Sequence, residues 1–471
     1  MKKILLPILI LGSVLTFDLN ANDSIPVEHF WCDSAMTSGT LSPNGKYFAA
    51  MVPATGPKCS INKDEEMNYG YENIYQELLK NGYLDPDVFI DMHVSNGADY
   101  QYAISHLFTQ HNKLGGDLGR FIETQMRPAL ESSMMQKKMP ITPYVNVWGG
   151  TPKEGWSQFY DSPRYSTGYT TLFNTLGMMV ETHMLKPYKI RVEQTYELLL
   201  SMLDFTEERS IDIKIVRKNA IDEILKKKIY PITFEINPKK DPSVIQFRGY
   251  EGEIIDSKVT NGKRLLYDAS KPYLEPVDYF NEYRPTKEIT IPKAYILKQG
   301  WHRVVARLKN NQIFYTQFKK DTTLVVETLH IDDYKTRTSA YEGHYLHYNT
   351  SVKIDSNAVH FSKGDLYIPV HQKGARYLME TLEPEATDSF FNWNFFDSVL
   401  QQKEGYSGYV FEDVAEQILK ENTTIKDAFE AKMATDKDFE KNPRAQLNFI
   451  YKRSLHYEKA HLLLPIYKAY E

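Results

Sequence analysis

Asp87-Val-Phe-Ile-Asp-Met-His-Val-Ser-Asn-Gly-Ala-Asp-Tyr-Gln-Tyr102 opens as a short, mostly apolar strand, Asp87 to Val94, and then runs into polar residues and a glycine. It sets Asp91, His93 and Asp99 where a strand gives way to a loop. In open α/β sheets ligands bind outside the carboxyl ends of the strands. A second stretch, Leu176-Gly-Met-Met-Val-Glu-Thr-His183, ends in the same way. Leu176 to Val180 reads as an apolar strand, and Glu181 follows directly. A carboxylate held against a buried strand has a raised pKa, which suits a general base. Polar groups at strand ends are also commonly structural, so neither end defines a site alone.

The segments around these strands read as helices. Glu65 to Lys80 carries Tyr71, Ile74, Tyr75, Leu78 and Leu79 at helical spacing. Lys113 to Met135 carries Leu114, Leu118, Phe121, Ile122 and Leu130 on one side, with a kink expected at Pro128. Arg191 to Lys228 reads as two helices. Strand alternating with helix predicts an α/β layer over residues 64–229. From 230 to 370 the apolar period shifts to two, as in Ile232–Ile236, Val304–Leu308 and Leu366–Val370. Asn261-Gly262 and Asn310-Asn311 mark turns, which predicts a β-rich accessory domain. Residues 371–471 read as a helical C-terminal region, with helices at Ala375–Leu382, Val410–Lys420 and Thr424–Met433.

The N-terminus reads as an address. Lys2 and Lys3 precede an apolar run, Ile4 to Phe17, that is shorter than the roughly 20 residues a membrane span takes. Ala21 offers a cleavage point, so residues 1–21 are expected to be a signal peptide and the protein periplasmic or secreted. No membrane association is expected after cleavage. The two cysteines, Cys32 and Cys59, could pair in an oxidising compartment or remain thiols. Residues 22–63 include Leu41 to Met51, a turn and strand like one β-propeller blade; a lone blade cannot bury its faces. The net charge of −5 argues against a nucleic-acid partner. Lys226 to Lys228 is a short charge run at a solvated helix end.

Seven motifs run collinearly between residues 64 and 468. They are DMHVSNGADYQY (91–102), KLGGDLGRFIE (113–123), SPRYSTGY (162–169), VETHMLKPYKIRVEQTYELL (180–199), FRGYEGEII (247–255), ETLEPEATDSFFNWNFFD (380–397) and NPRAQLNFIYKRSLHY (442–457). Together they resemble the zinc carboxypeptidase family, carboxypeptidase A-like, in a large exported bacterial branch. The resemblance implies a mixed sheet with helices, and hydrolysis at peptide C-termini by zinc-activated water. It implies that His93 is the third zinc ligand and that Glu181 is the general base. It also implies a tyrosine near the scissile bond, either Tyr165 or Tyr169. Arg164 would meet a substrate carboxylate or form a structural ion pair.

The sequence also departs from the family. The first two ligands of the family come from an H-x-x-E motif upstream of the His93 strand. None of the 13 histidines is followed by glutamate at the third position. His330-Ile-Asp-Asp333 is the nearest approach, and it lies downstream of His93. The family's Asn-Arg pair has no counterpart either. The first half of the catalytic domain is therefore expected to be missing. Catalytic zinc takes three protein ligands plus water. The expected function is a metallocarboxypeptidase-like protein with impaired hydrolysis. The alternative is a non-catalytic binder of peptides or cell-wall fragments.

Overall fold

The computed structural model describes residues 86–470. It also describes the backbone of four short upstream strands: β1 (Ile8–Leu11), β2 (Leu15–Asp18), β3 (Ser38–Leu41) and β4 (Tyr47–Met51). Cys32, Cys59 and the expected helix Glu65–Lys80 lie outside the described residues, as does the rest of the expected signal peptide.

β5 (Val88–Ser95), β6 (Ile104–Phe108), β7 (Thr142–Pro143) and β9 (Leu176–His183) form one end of an eight-stranded mixed sheet. Its order is β3-β4-β2-β1-β5-β9-β6-β7. β5 and β9 are parallel, and β6 runs antiparallel to β9. β1 pairs in parallel with β5, Ile8 opposite Val88. Cleavage after Ala21 would thus remove β1 and β2 and leave β5 as a sheet edge with unpaired backbone groups. The blade-like stretch supplies β4, which pairs with β2 and β3 in this same sheet.

Side chains alternate across the strands, and the two faces divide sharply. Val88, Ile90, Ile104, Phe108, Leu176, Met178 and Val180 form a core with the flanking helices. Those helices include Arg127–Gln136, Tyr188–Glu208 and Ser210–Ile224. The opposite face carries Asp91, His93, Glu181 and Ser105. The long helix expected over Lys113–Met135 is broken at Gly115, whose φ is +66°, and it bends again through a π-helical turn at Ile122–Met126. The Arg127 N–H closes that turn onto Ile122 O. Pro128 then sits in the first turn of the next helical segment, where its missing N–H costs little.

Downstream, β10 (Ile229–Ile236) pairs with β13 (Tyr283–Thr290). β11 (Ser243–Asp256) and β12 (Lys263–Phe280) form a long ribbon whose loop contains Asn261-Gly262. β12 also pairs with β8 (Trp156–Ser157). A six-stranded sheet has the order β15-β18-β14-β19-β16-β17. Its strands are β14 (Ala294–Leu297), β15 (Thr316–Gln317), β16 (Thr322–Thr336), β17 (His347–Phe361), β18 (Leu366–Pro369) and β19 (Leu463–Ala469).

The downstream half departs from the sequence reading at Val304–Leu308 and in the C-terminal region. Val304–Leu308 is not a strand but part of a helix, His302–Asn310, which buries Val304 and Leu308 four residues apart. Asn310-Asn311 ends that helix and forms no hairpin turn. The C-terminal region is not wholly helical either, because β19 lies between β14 and β16. A boundary at residue 370 therefore cuts through a sheet. The helices Ala375–Leu382, Gly408–Glu421 and Thr423–Thr435 fall where the periodicity places them. One core unites Phe89, Leu172 and Phe173 with Tyr295, Leu329, Tyr377, Phe390 and Phe396, so the first layer and the downstream half share an interior. Among the described residues, no helix is long and apolar enough to cross a membrane.

Candidate functional site

The polar face of the sheet is built by register. His93 on β5 lies opposite Glu181 on β9, and Ser105 on β6 lies opposite Glu181 from the other side. Strand spacing of about 4.8 Å brings the three onto one row. Asp91, one step back along β5 on the same face, is 1% exposed. The His93 Nε2 donates to Asp91 Oδ2 at 2.7 Å, and the Ser166 hydroxyl donates to the same oxygen. Asp91 Oδ1 has no hydrogen-bond partner, nor does Glu181 Oε2.

The helix Ser166–Thr171 lies over this face through small residues, Ser166 on Asp91 and Thr167 and Thr170 against Gly177. Gly177 of β9 lets it approach: a Cβ there would come within 3.3 Å of Thr167 Cα and closer still to two threonine hydroxyls. Gly168 packs against the carbonyls of Asp161 and Ser162 with no room for a Cβ. Gly168→Ala should therefore displace the helix and cost roughly 1–3 kcal/mol. Urea denaturation would detect this as a lower midpoint. An unchanged midpoint would refute the close approach.

The electrostatics follow from burial. Burial alone would depress the His93 imidazole; the hydrogen bond and charge of Asp91, with Glu181 behind them, outweigh it and raise its pKa. Burial pushes the Glu181 carboxyl up to about 7, against the pull of His93 and with the push of Asp91. Burial and the Glu181 charge likewise push the Tyr144 phenol up to about 12. A carboxyl that titrates near neutrality beside an imidazole can take or give a proton at pH 7.

A cavity of about 390 Å³ opens beside Asp91 and His93. Tyr165 and Tyr169 both line it. The Tyr165 ring stands edge-on to Phe159 at 4.9 Å, and burial raises its phenol. The Tyr169 hydroxyl donates to Asn311 Oδ1. Arg164 also lines the cavity, but its guanidinium is held by Asp388, with Nε at 2.8 Å and a second nitrogen at 2.7 Å from Oδ1. The structural ion pair is thus the role its contacts describe. Glu181 is not part of the cavity lining; it sits one strand over.

Among the described residues, no three His, Cys, Asp or Glu side chains come together as a metal would need. His93 Nε2 is already engaged with Asp91. Three protein ligands are the usual minimum for catalytic zinc, so this donor set does not fit one by itself.

Sequence reading missed the far wall of the cavity. Tyr341, Tyr377, Asp388 and Trp393 come from segments more than 150 residues beyond Glu181 in the chain, and no spacing rule links them to it. The run Glu380–Asp397 was conspicuous for its aromatics, which is the one signal that could have pointed there. No family model, curated protein or solved structure matches the chain.

Proposed function

We propose that this chain is a carboxypeptidase-like protein that holds a peptide end in the cavity beside His93, with its hydrolytic chemistry impaired. The observation that carries the reading is the register of His93 against Glu181 at the carboxyl ends of two parallel strands. It puts an imidazole beside a carboxyl whose pKa is pushed up to about 7. The finer fold, a partial carboxypeptidase-like sheet joined to a β-rich half, belongs to the same proposal. So does export through residues 1–21 to the periplasm or the medium, with no nucleic-acid or membrane partner.

Zinc enters the proposal only with outside help. His93 would be one ligand, and the others would have to come from residues upstream of Pro86 or from a second molecule. The second reading, a non-catalytic binder of peptides or cell-wall fragments, is favoured by the cavity, which is formed without the missing ligands. The test is metal content of the purified protein together with cleavage of peptides bearing free C-termini. The expected result is zinc well below one per chain, no chelator-sensitive cleavage, and peptide binding that survives His93→Ala and Glu181→Ala. Stoichiometric zinc with chelator-sensitive cleavage would replace impairment with activity. Absence of any peptide binding would remove both readings.

A further inference from the structure

β5 outruns one of its two neighbours. β9 pairs with it from Val88 to Ser95, while β1 pairs with it only over Val88–Asp91. Among the described residues, Met92–Ser95 therefore has a strand on one side alone. The ladder with β9 fixes which backbone groups are left over. The Leu176 N–H donates to Asp87 O, and the Met184 N–H donates to Ser95 O. Successive residues of a strand turn their N–H and C=O to opposite edges, so the odd-numbered residues of β5 bond β9 and the even-numbered ones face away. The N–H and C=O of Met92 and of Val94 thus lie on the open edge, to either side of His93. Nothing blunts that edge. β5 contains no lysine, proline or glycine, and the Val94 side chain is 58% exposed. An edge of this kind is a template for a further strand, and its first half already carries one, with Ile8 opposite Val88.

The open stretch is four residues long, roughly 13 Å at about 3.3 Å per residue. That is too short to build the roughly 1,000 Å² that a stable pair of chains buries, and it suits one short extended peptide. It also abuts the cavity, whose lining includes Asp91 and His93.

We propose that an extended peptide joins the sheet as a strand along Met92–Ser95, hydrogen-bonded to the main chain of Met92 and Val94. Recognition then rests on the peptide backbone, as in other cases of strand addition to a sheet edge. The favoured ligands are extended segments rich in β-branched and aromatic residues and free of proline. Where the ligand is a peptide end, which rests on the function proposed above, the strand runs antiparallel to β5. Its C-terminal residue then points toward Asp91 and the cavity.

The test uses the peptide acetyl-Thr-Val-Thr-Val-Phe on the full chain, with binding measured by calorimetry. Two analogues carry N-methyl groups, one on both valine amides and one on both threonine amides. Only one alternate set of amides faces the edge, and each such bond is worth roughly two- to ten-fold in affinity. One analogue should therefore bind roughly ten-fold or more weakly, and the other within about three-fold of the parent peptide. Val94→Pro removes an N–H that the β9 ladder does not use, a position where proline is tolerated. It should keep the urea midpoint and weaken the parent peptide by roughly ten-fold or more. Equal losses for the two analogues, or undiminished binding to folded Val94→Pro, overturn the proposal. Where Val94→Pro does not fold, the methylated pair decides alone. A concentration-dependent dimer that Val94→Pro abolishes would put a second copy on the edge and overturn it as well. Alternation between the analogues that is indifferent to amidation of the peptide C-terminus would sink the peptide-end reading and leave this one standing. Binding lost on amidation, with equal effects of the two analogues, would do the reverse. Failure of every peptide would overturn both.

Discussion

Asp388→Ala should destabilise the protein by about 3–5 kcal/mol, the usual cost of leaving one partner of a buried ion pair alone. Asp388 is 7% exposed and accepts from four donors. Three belong to Arg164: its backbone N at 2.9 Å, Nε at 2.8 Å and a terminal guanidinium nitrogen at 2.7 Å. The fourth is the Trp393 indole at 3.0 Å. Removing the carboxylate strands a guanidinium that packs over the Tyr341 and Trp393 rings, at 5.6 and 5.7 Å. The pair also spans 224 residues of chain and ties the segment before helix Ser166–Thr171 to the aromatic wall. Trp393→Phe removes the indole donor while keeping an aromatic ring beneath Arg164, and should cost about 1 kcal/mol. Urea denaturation followed by tryptophan fluorescence measures both. A loss below about 1 kcal/mol for Asp388→Ala would mean that Arg164 finds another partner, and the wall would then not depend on the pair.

The parts of the fold that were legible in the sequence are those with a local cause. β5 and β9 were marked by apolar runs that end in polar residues, and the helices Tyr188–Glu208 and Ser210–Ile224 by their period. Val304–Leu308 misled because two adjacent valines suit a strand as well as a helix over five residues. The buried pair Val304 and Leu308, four apart, was the decisive spacing. β19 escaped because Leu463–Ala469 follows a helical stretch and finds its partners, β14 and β16, about 130 to 170 residues earlier. The site divides in the same way. His93 and Glu181 could be named from strand ends, since each needs only its own strand. Asp91 could be read as polar, but its contact with Ser166 depends on a helix 75 residues away that crosses the sheet. Arg164 was left between two roles until its partner was known, and Asp388 belongs to a segment that no local pattern connects to it.

Glu181→Gln should stabilise the protein in a way that grows with pH. The Glu181 carboxyl is 7% exposed, and burial, opposed by His93 and aided by Asp91, pushes its pKa up to about 7. In the unfolded chain it returns to the ordinary value near 4.5. Between those values the folded state holds a proton that the unfolded state has released. The unfolded state therefore binds fewer protons, and stability falls as pH rises through the window. The loss is complete above pH 7 and absent below pH 4.5, and its size is roughly 3 kcal/mol. Glutamine keeps the shape and cannot ionise, so the variant should match the parent near pH 4.5 and exceed it by roughly 3 kcal/mol at pH 8. The His93 imidazole has its own raised pKa, so the stability it adds is present below its ordinary value and is lost as pH rises past the raised one. Asp91 is the leading cause of that raise, and Glu181 contributes least. The His93 contribution is thus largely common to both proteins and cancels in the difference. Urea denaturation of the two proteins at pH 4.5, 6, 7 and 8 gives the comparison directly. Curves that stay parallel across that range would show that Glu181 is ionised at no cost, and the site would then lack a proton carrier poised at neutral pH.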